Sequence, residues 1–229
     1  MSDLLEAIEI ETGKNPAACI IWMHGLGADG NDFVPIVREL DLPRVQPIRF
    51  VFPHAPMRPV TLNNGYVMRA WYDVSYGDLE GRSRRPDEAG VRASHEAIGR
   101  LIARETGRGV ATEKIVLAGF SQGGAMALHT GLRYPQRLAG MMALSTYLPL
   151  AEHLAHEAAP VNAGTPIFMA HGTDDPVVPY AMGAGSRELL GKMGYDVAWH
   201  EYPMQHSLCL EEVQDIAAWL RRIFQAGQS

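Results

Sequence analysis

Residues 119–123 read Gly-Phe-Ser-Gln-Gly, so a serine stands two positions from a glycine on each side. The preceding residues are apolar and β-branched, and the following ones favour a helix. A strand that turns sharply into a helix at a serine lifts the hydroxyl above a sheet, and the crowded turn favours glycine at both flanking positions. Ser121 is therefore the candidate nucleophile. Because so short a string also arises by chance in surface loops, this interpretation depends on finding partners for the serine.

The partners of such a serine are a base and an acid that orients the base. At an elbow of this kind they follow the serine in the order acid, then histidine, in loops after later strands. Asp174 and Asp175 share one such loop, and residue type alone does not choose between them. His206 lies in the loop after the last predicted strand and is the candidate base. His171 precedes both acids, so we expect it to brace their loop.

An acyl-transfer site also needs two N–H groups that converge on the developing oxyanion. One is the backbone N–H that follows the nucleophile, which belongs to Gln122. The other comes from a glycine-containing loop after an early strand, and residues 24–27, His-Gly-Leu-Gly, fit that position. The alternative is a glycine-rich connector that only joins a strand to a helix.

Strand-like and helix-like segments alternate along the chain. Apolar runs predict strands at 17–23, 48–52, 115–117, 138–144, 166–170 and 197–202, with an alternating edge strand at 8–11. Helical periodicity predicts helices at 31–40, 87–105, 122–134, 180–193 and 209–224. This order favours an α/β fold with a mostly parallel central sheet and helices on both faces. The excursions at 53–86 and 147–165 are too short for a large cap domain.

Composition narrows the class of protein. The chain has 229 residues, of which 47% are hydrophobic, which supports a single domain over residues 1–229. A net charge of −6 gives no support to nucleic-acid binding. Met1–Glu6 lack the pattern of a signal peptide, and no apolar run is long enough to span a bilayer, so we expect a cytoplasmic protein without integral membrane association.

Neither the two cysteines nor the basic cluster at 82–85 indicates a functional site. Cys19 and Cys209 lie in apolar sequence, which favours buried thiols over a disulfide in a cytoplasmic protein. Neither has metal-ligand spacing, and we expect no metal and no other cofactor. The basic cluster at 82–85 is typical of a solvated loop.

Motifs along nearly the whole chain resemble the small carboxylesterases and acyl-protein thioesterases of the phospholipase/carboxylesterase family, which are α/β-hydrolases. The resemblance is carried by residues 24–27, 53–56, 68–73, 119–123, 171–179 and 206–207. It implies that Asp175, which precedes the proline of its loop, is the acid of a triad with Ser121 and His206. It also implies oxyanion N–H groups from Leu26 and Gln122. Gly25, Trp71 and Tyr72 are then substrate-binding residues, and residues 72–85 continue the acyl groove.

The resemblance and the residues together predict a serine carboxylesterase for short- to medium-chain esters, acting through an acyl-enzyme on Ser121. An acyl-protein thioesterase or a lysophospholipase would use the same triad. A distant alternative is a binding protein that keeps the fold without turnover. The substrate would be a small ester or an acylated molecule, and an apolar rim around an open cleft would be compatible with a homodimer.

Overall fold

The computed structural model describes residues 4–42, 46–79 and 86–225. Its strands are β1 Ala7–Glu11, β2 Ala18–Met23, β3 Ile48–Pro53, β4 Met57–Val60, β5 Tyr66–Arg69, β6 Ile115–Phe120, β7 Gly140–Leu144, β8 Ile167–Gly172 and β9 Val197–Tyr202. Its helices are α1 Ile36–Glu39, α2 Tyr76–Leu79, α3 Glu88–Gly107, α4 Gln122–Arg133, α5 Leu154–Glu157, α6 Tyr180–Lys192 and α7 Leu210–Gln225. The basic cluster at 82–85, with the end of the predicted groove segment, lies outside the described residues.

Seven strands form the central sheet, in the order β1-β3-β2-β6-β7-β8-β9. Only β1, at the edge, runs antiparallel to its neighbour, and the other pairs are parallel. Because parallel strands end at the same edge, the loops after β2, β6, β8 and β9 meet there. The predicted mostly parallel sheet is confirmed.

Helices cover both faces of this sheet. On one face α7 packs Ile216 and Trp219 against a cluster that contains Trp22 and Phe50. On the other face α3 and α4 bury their apolar sides against alternate residues of the same strands, such as Ile21. Strands buried on both faces carry continuous apolar runs, which is why β2 is apolar throughout. The predicted α/β-hydrolase architecture is confirmed, and no large cap domain is indicated among the described residues.

The helix predicted at 31–40 is wrong over most of its length. Only Ile36–Glu39 is α-helical, and the residues before it form turns in which N–H groups bond to carbonyls three residues back. Pro35 has no N–H with which to continue a helical ladder. Ile36 and Leu40 are nonetheless buried, so the apolar spacing indicated a packed segment but not its backbone geometry.

The excursion at 53–86 contains an antiparallel hairpin of β4 and β5 that the sequence reasoning missed. Its turn includes Asn64 and Gly65, both with positive φ, at 54° and 78°. An Asn-Gly pair favours tight turns between strands, so a signal was present. Pro59 is tolerated in β4 because this strand belongs to a two-stranded ribbon rather than to the central sheet.

The remaining excursion, 147–165, folds into short helical turns around α5.

Across the described ranges, no helix is both long enough and apolar enough to cross a membrane.

Candidate active site

Ser121 occupies the sharp turn between β6 and α4. Its φ of 54° and ψ of −124° lie in a region that side chains rarely adopt. A Cβ at Gly119 would lie 2.2 Å from the Gly123 carbonyl carbon, and one at Gly123 would lie 2.2 Å from Met23 O. Neither position therefore accepts a side chain, and the two glycines are what allow this turn to form.

Hydrogen bonds from the end of β7 and from the loop after it hold the strained serine in place. The Ser121 N–H donates to Leu144 O at 2.8 Å, and the Thr146 hydroxyl donates to Ser121 O at 2.6 Å. Ser121 is 9% exposed and forms part of the wall of a small pocket. The backbone of the candidate nucleophile is thus fixed while its side chain borders a space that a ligand can enter.

Asp175 and His206 form an acid–base pair in the loops after β8 and β9, with the aspartate buried and the histidine partly exposed. The His206 Nδ1–H donates to Asp175 Oδ2 at 2.7 Å. The other carboxylate oxygen accepts the N–H groups of Val177 and Val178, at 2.8 and 2.9 Å. Asp174, by contrast, is exposed. Of the two candidate acids, the structure brings only Asp175 to the histidine.

These contacts determine the charge of Asp175. Burial alone would raise the pKa of its carboxyl group, but the hydrogen bonds from His206, Val177 and Val178 outweigh burial, and the pKa is lowered. The carboxylate is therefore ionised at neutral pH and accepts the Nδ1–H of His206. This leaves Nε2 as the nitrogen that can accept a proton.

His206 lies beside the elbow, because its ring centroid is 4.7 Å from that of Phe120, the residue before the serine. Its loop is packed directly on the acid loop, since a Cβ at Gly172 would lie 2.3 Å from Met204 O. His171 braces the same region from beneath, where its Nε2–H donates to Val178 O at 2.9 Å. Burial lowers the pKa of His171, so this brace is a neutral imidazole.

The two candidate oxyanion donors line the same pocket as Ser121. Gln122 is the first residue of α4, so its N–H has no acceptor within the helix and lies at the positive end of the helix dipole. Among the described residues, the Leu26 N–H donates no hydrogen bond. Gly25 adjoins the serine, because a Cβ there would lie 3.4 Å from that of Ser121.

A network that sequence reasoning missed supports the loop at 24–27. The His24 Nδ1–H donates to Gly25 O at 2.7 Å, and its Nε2 accepts the Ala55 N–H at 3.0 Å. Burial lowers the pKa of His24, which is consistent with this neutral tautomer. Arg69 donates to Ala55 O at 2.8 Å, and its own carbonyl accepts the Gly27 N–H at 2.9 Å. The motifs at 53–56 and 68–73 thus hold the candidate oxyanion loop.

The expectation that Trp71 lines the groove needs correction. Its side chain is fully buried, and its indole N–H donates to His24 O at 2.9 Å. The Gln122 side chain bridges this segment, accepting the Trp71 N–H at 2.8 Å and donating to Tyr72 O at 2.7 Å. Trp71 therefore lies beneath the site, where the Gln122 side chain accepts its backbone N–H and His24 O accepts its indole N–H.

Tyr72 does line the pocket, together with residues that the sequence did not single out. The lining consists mainly of apolar side chains from several loops: Leu26, Leu62, Tyr72, Val74, Tyr147, Val177 and Val178. In the described part of the chain, no group of three or more His, Cys, Asp or Glu residues is arranged to hold a metal ion. The arrangement is an apolar pocket bordered by a serine, next to a histidine–aspartate pair and two backbone donors.

Comparisons with known proteins show the family to which the chain is similar. The sequence model of the Phospholipase/Carboxylesterase family matches residues 5–224. Acyl-protein thioesterase 1 of Neurospora crassa is 44% identical over 210 residues, which are 89% of this chain and 85% of that protein. Acyl-protein thioesterase 1 of Mycosarcoma maydis is 39% identical over 234 residues, 96% of each chain.

Solved structures show the same similarity. The crystal structure of Arabidopsis thaliana SOBER1 superposes with a TM-score of 0.84 at 32% identity, covering 90% of this chain and 98% of that one. The crystal structure of Zea mays acyl-protein thioesterase 2 has a TM-score of 0.81 at 28% identity, covering 96% of this chain and 100% of that one.

Proposed function

We propose a function for this chain, which belongs to the phospholipase/carboxylesterase family of serine hydrolases. It hydrolyses short- to medium-chain carboxylic esters through an acyl-enzyme on Ser121. The observation that carries the proposal is the 2.7 Å hydrogen bond from His206 to Asp175, beside the serine of the elbow. A base that is oriented in this way is what a serine hydroxyl requires to become a nucleophile.

In this mechanism, His206 Nε2 takes the hydroxyl proton as Ser121 Oγ attacks the acyl carbonyl. The N–H groups of Leu26 and Gln122 bind the resulting oxyanion, and each such donor is worth roughly 2.7–4 kcal/mol in the transition state. His206 then gives its proton to the leaving oxygen or sulfur, which departs as an alcohol or a thiol. Water attacks the acyl-enzyme by the same route and regenerates the free serine.

Asp175 serves this cycle through the histidine. It holds His206 in the tautomer that leaves Nε2 free, and it stabilises the imidazolium that forms during attack. Its hydrogen bonds to two backbone N–H groups keep the carboxylate ionised and immobile, which supports this positioning role.

An acyl-protein thioesterase activity is the second candidate, favoured by the relatives of that name at 34–44% identity. A lysophospholipase would use the same triad. The constellation attacks esters and thioesters alike, so the residues at the serine do not distinguish these activities. The pocket that Ser121 borders is small and mainly apolar, which favours short acyl groups for the native protein.

The direct test of the proposed function is Ser121→Ala, assayed against p-nitrophenyl esters and acyl thioesters side by side. We expect the variant to lose ester turnover and to keep the thermal unfolding profile of the native protein, because alanine has the same Cβ and backbone requirements at this turn as serine. Thr106→Ala is a matched control, because it removes a hydroxyl from the C-terminal end of α3 and Thr106 does not line the pocket that Ser121 borders. Unchanged ester turnover in Ser121→Ala would refute the assignment of Ser121 as the nucleophile. In the native protein, the ratio of kcat/KM for esters to kcat/KM for thioesters decides between carboxylesterase and thioesterase activity.

A further inference from the structure

A second cavity adjoins the pocket that Ser121 borders. The pocket has a volume of about 50 Å³, whereas the second cavity has a volume of about 290 Å³. Tyr72 and Tyr147 line both spaces, so the two rings stand between them. Since a cavity needs about 10–15 Å³ of such accessible volume to hold one water molecule, the pocket alone has room for only a few heavy atoms of an acyl group.

The two tyrosines are fastened to each other and to the site. Their hydroxyl oxygens are 3.0 Å apart and share a hydrogen bond. Burial raises the pKa of Tyr72 well above its usual range and that of Tyr147 to about 12, so both phenols are neutral. The Tyr72 carbonyl accepts the Gln122 side-chain N–H, and the Leu148 N–H, next to Tyr147, donates to Ser186 Oγ at 2.9 Å. Hydrogen bonds therefore hold both segments in place.

The second cavity suits an apolar chain, although carboxylates lie at its rim. Asp73 accepts the backbone N–H and the hydroxyl of Thr61, at 2.7 and 2.6 Å. Asp87 caps α3 through the Gly90 N–H at 2.9 Å and also accepts the Asp73 N–H. Asp78 accepts the backbone N–H and the hydroxyl of Ser75, at 2.7 and 2.6 Å, and Glu152 is the fourth carboxylate of the lining. Apolar side chains supply much of the remaining wall, namely Val91, Leu148, Pro149, Leu150 and Ala151.

We propose that the Tyr72–Tyr147 pair is a wall that closes the acyl pocket from the second cavity, and that Tyr147 thereby sets the longest acyl chain that the protein accepts. This inference rests on the proposed function, because it names the feature that limits the acyl group delivered to Ser121. With the wall in place, short acyl groups fill the pocket. Without it, a longer chain continues past Tyr72 into the second cavity.

The test measures kcat/KM for p-nitrophenyl esters from butanoate to dodecanoate in native protein, Tyr147→Ala and the milder Tyr147→Leu. We expect the dodecanoate-to-butanoate ratio to rise by about tenfold or more in Tyr147→Ala, the effect of at least one additional methylene bound in an apolar pocket. Tyr147→Leu should give a smaller rise. Tyr66→Ala, which removes an exposed tyrosine that lines neither space, should keep the native ratio.

A double variant tests the path of the chain. Ala151 lines the second cavity, so adding Ala151→Trp to Tyr147→Ala should fill that cavity and return the ratio toward the native value. An unchanged ratio in folded Tyr147→Ala and Tyr147→Leu would overturn the inference, and so would a double variant that keeps the long-chain preference. In both cases native hydrolysis of butanoate would leave the proposed function standing. A native protein that cleaves none of these esters would overturn the proposed function and the inference together.

Discussion

At the scale of single residues, adjacent aspartates differ through their surroundings. Asp175 is buried, accepts two backbone N–H groups and bonds to His206, whereas Asp174 is exposed. Two carboxylates with the same reference pKa thus differ in what they can orient. Residue type could not choose between them; resemblance to a family pattern could, and the hydrogen bonds give the physical reason.

The difference between the two aspartates predicts different kinetic effects when each is replaced by asparagine. Asp175→Asn should lower kcat by about 10⁴-fold, the effect of placing an amide where a triad carboxylate fixes the histidine tautomer. Asp174→Asn is the matched control and should stay close to native activity. Steady-state kinetics on one ester with both proteins decides, and a larger loss in Asp174→Asn would move the acid to that position.

At the scale of elements, the elbow depends on close contact between α4 and β2. Gly123→Ala would place a Cβ 2.2 Å from Met23 O, which is backbone and cannot rotate away. We expect loss of ester turnover together with destabilisation of at least roughly 1–3 kcal/mol, as in other overpacked interiors. Thermal unfolding and ester assays on the same preparation measure both effects.

Gly185→Ala is the control for that substitution. Gly185 lies in α6 with open space around its Cα, so alanine there should leave turnover intact and stabilise the helix by about 0.5–1 kcal/mol. Native-like stability in Gly123→Ala would contradict the tight packing of the elbow.

A buried carboxyl group in α7 predicts that the stability of the protein depends on pH. Burial raises the pKa of the Glu212 carboxyl group from 4.5 to about 8, because it outweighs a backbone hydrogen bond at Cys209 that lowers the pKa, and Asp215 adds a smaller rise. The folded protein therefore holds a proton that the unfolded chain releases above pH 4.5. This contribution to stability is fully present below that pH and is lost as the pH rises toward 8.

Glu212→Gln should remove this pH dependence. Between pH 5 and pH 8 the native protein should lose roughly 3 kcal/mol of unfolding free energy relative to the variant. Glu211→Gln, at the exposed neighbouring position, should follow the native curve. Parallel stability curves for native protein and Glu212→Gln across this pH range would show that Glu212 is ionised in the folded state.

The elements also show what sequence patterns convey. Central strands such as β2 were predictable because burial on both faces demands a continuous apolar run. The segment at 31–40 was misread because turns and a helix can bury the same apolar spacing. The hairpin of β4 and β5 was missed although its Asn64–Gly65 turn is a local signal, since two short strands outside the main sheet leave a weak apolar pattern.

At the scale of the whole molecule, the site was predictable where chain order carries the information. A parallel sheet brings the ends of β2, β6, β8 and β9 to one edge, so the loops that carry Leu26, Ser121, Asp175 and His206 meet there. The positions of Trp71 and Tyr147 were not predictable in this way. Whether an aromatic ring lies beneath a pocket or in its wall depends on hydrogen bonds between distant segments, such as Trp71 to His24.

The measurement that tests the central claim most directly is covalent labelling with a fluorophosphonate, followed by peptide mass spectrometry. An activated serine beside oxyanion donors should react in a one-to-one ratio, with the label on Ser121. Prior incubation with an ester substrate should slow the reaction, and Ser121→Ala should remove it. A folded native protein that takes up no label, or takes it up at another residue, would contradict the assignment of Ser121 as the nucleophile.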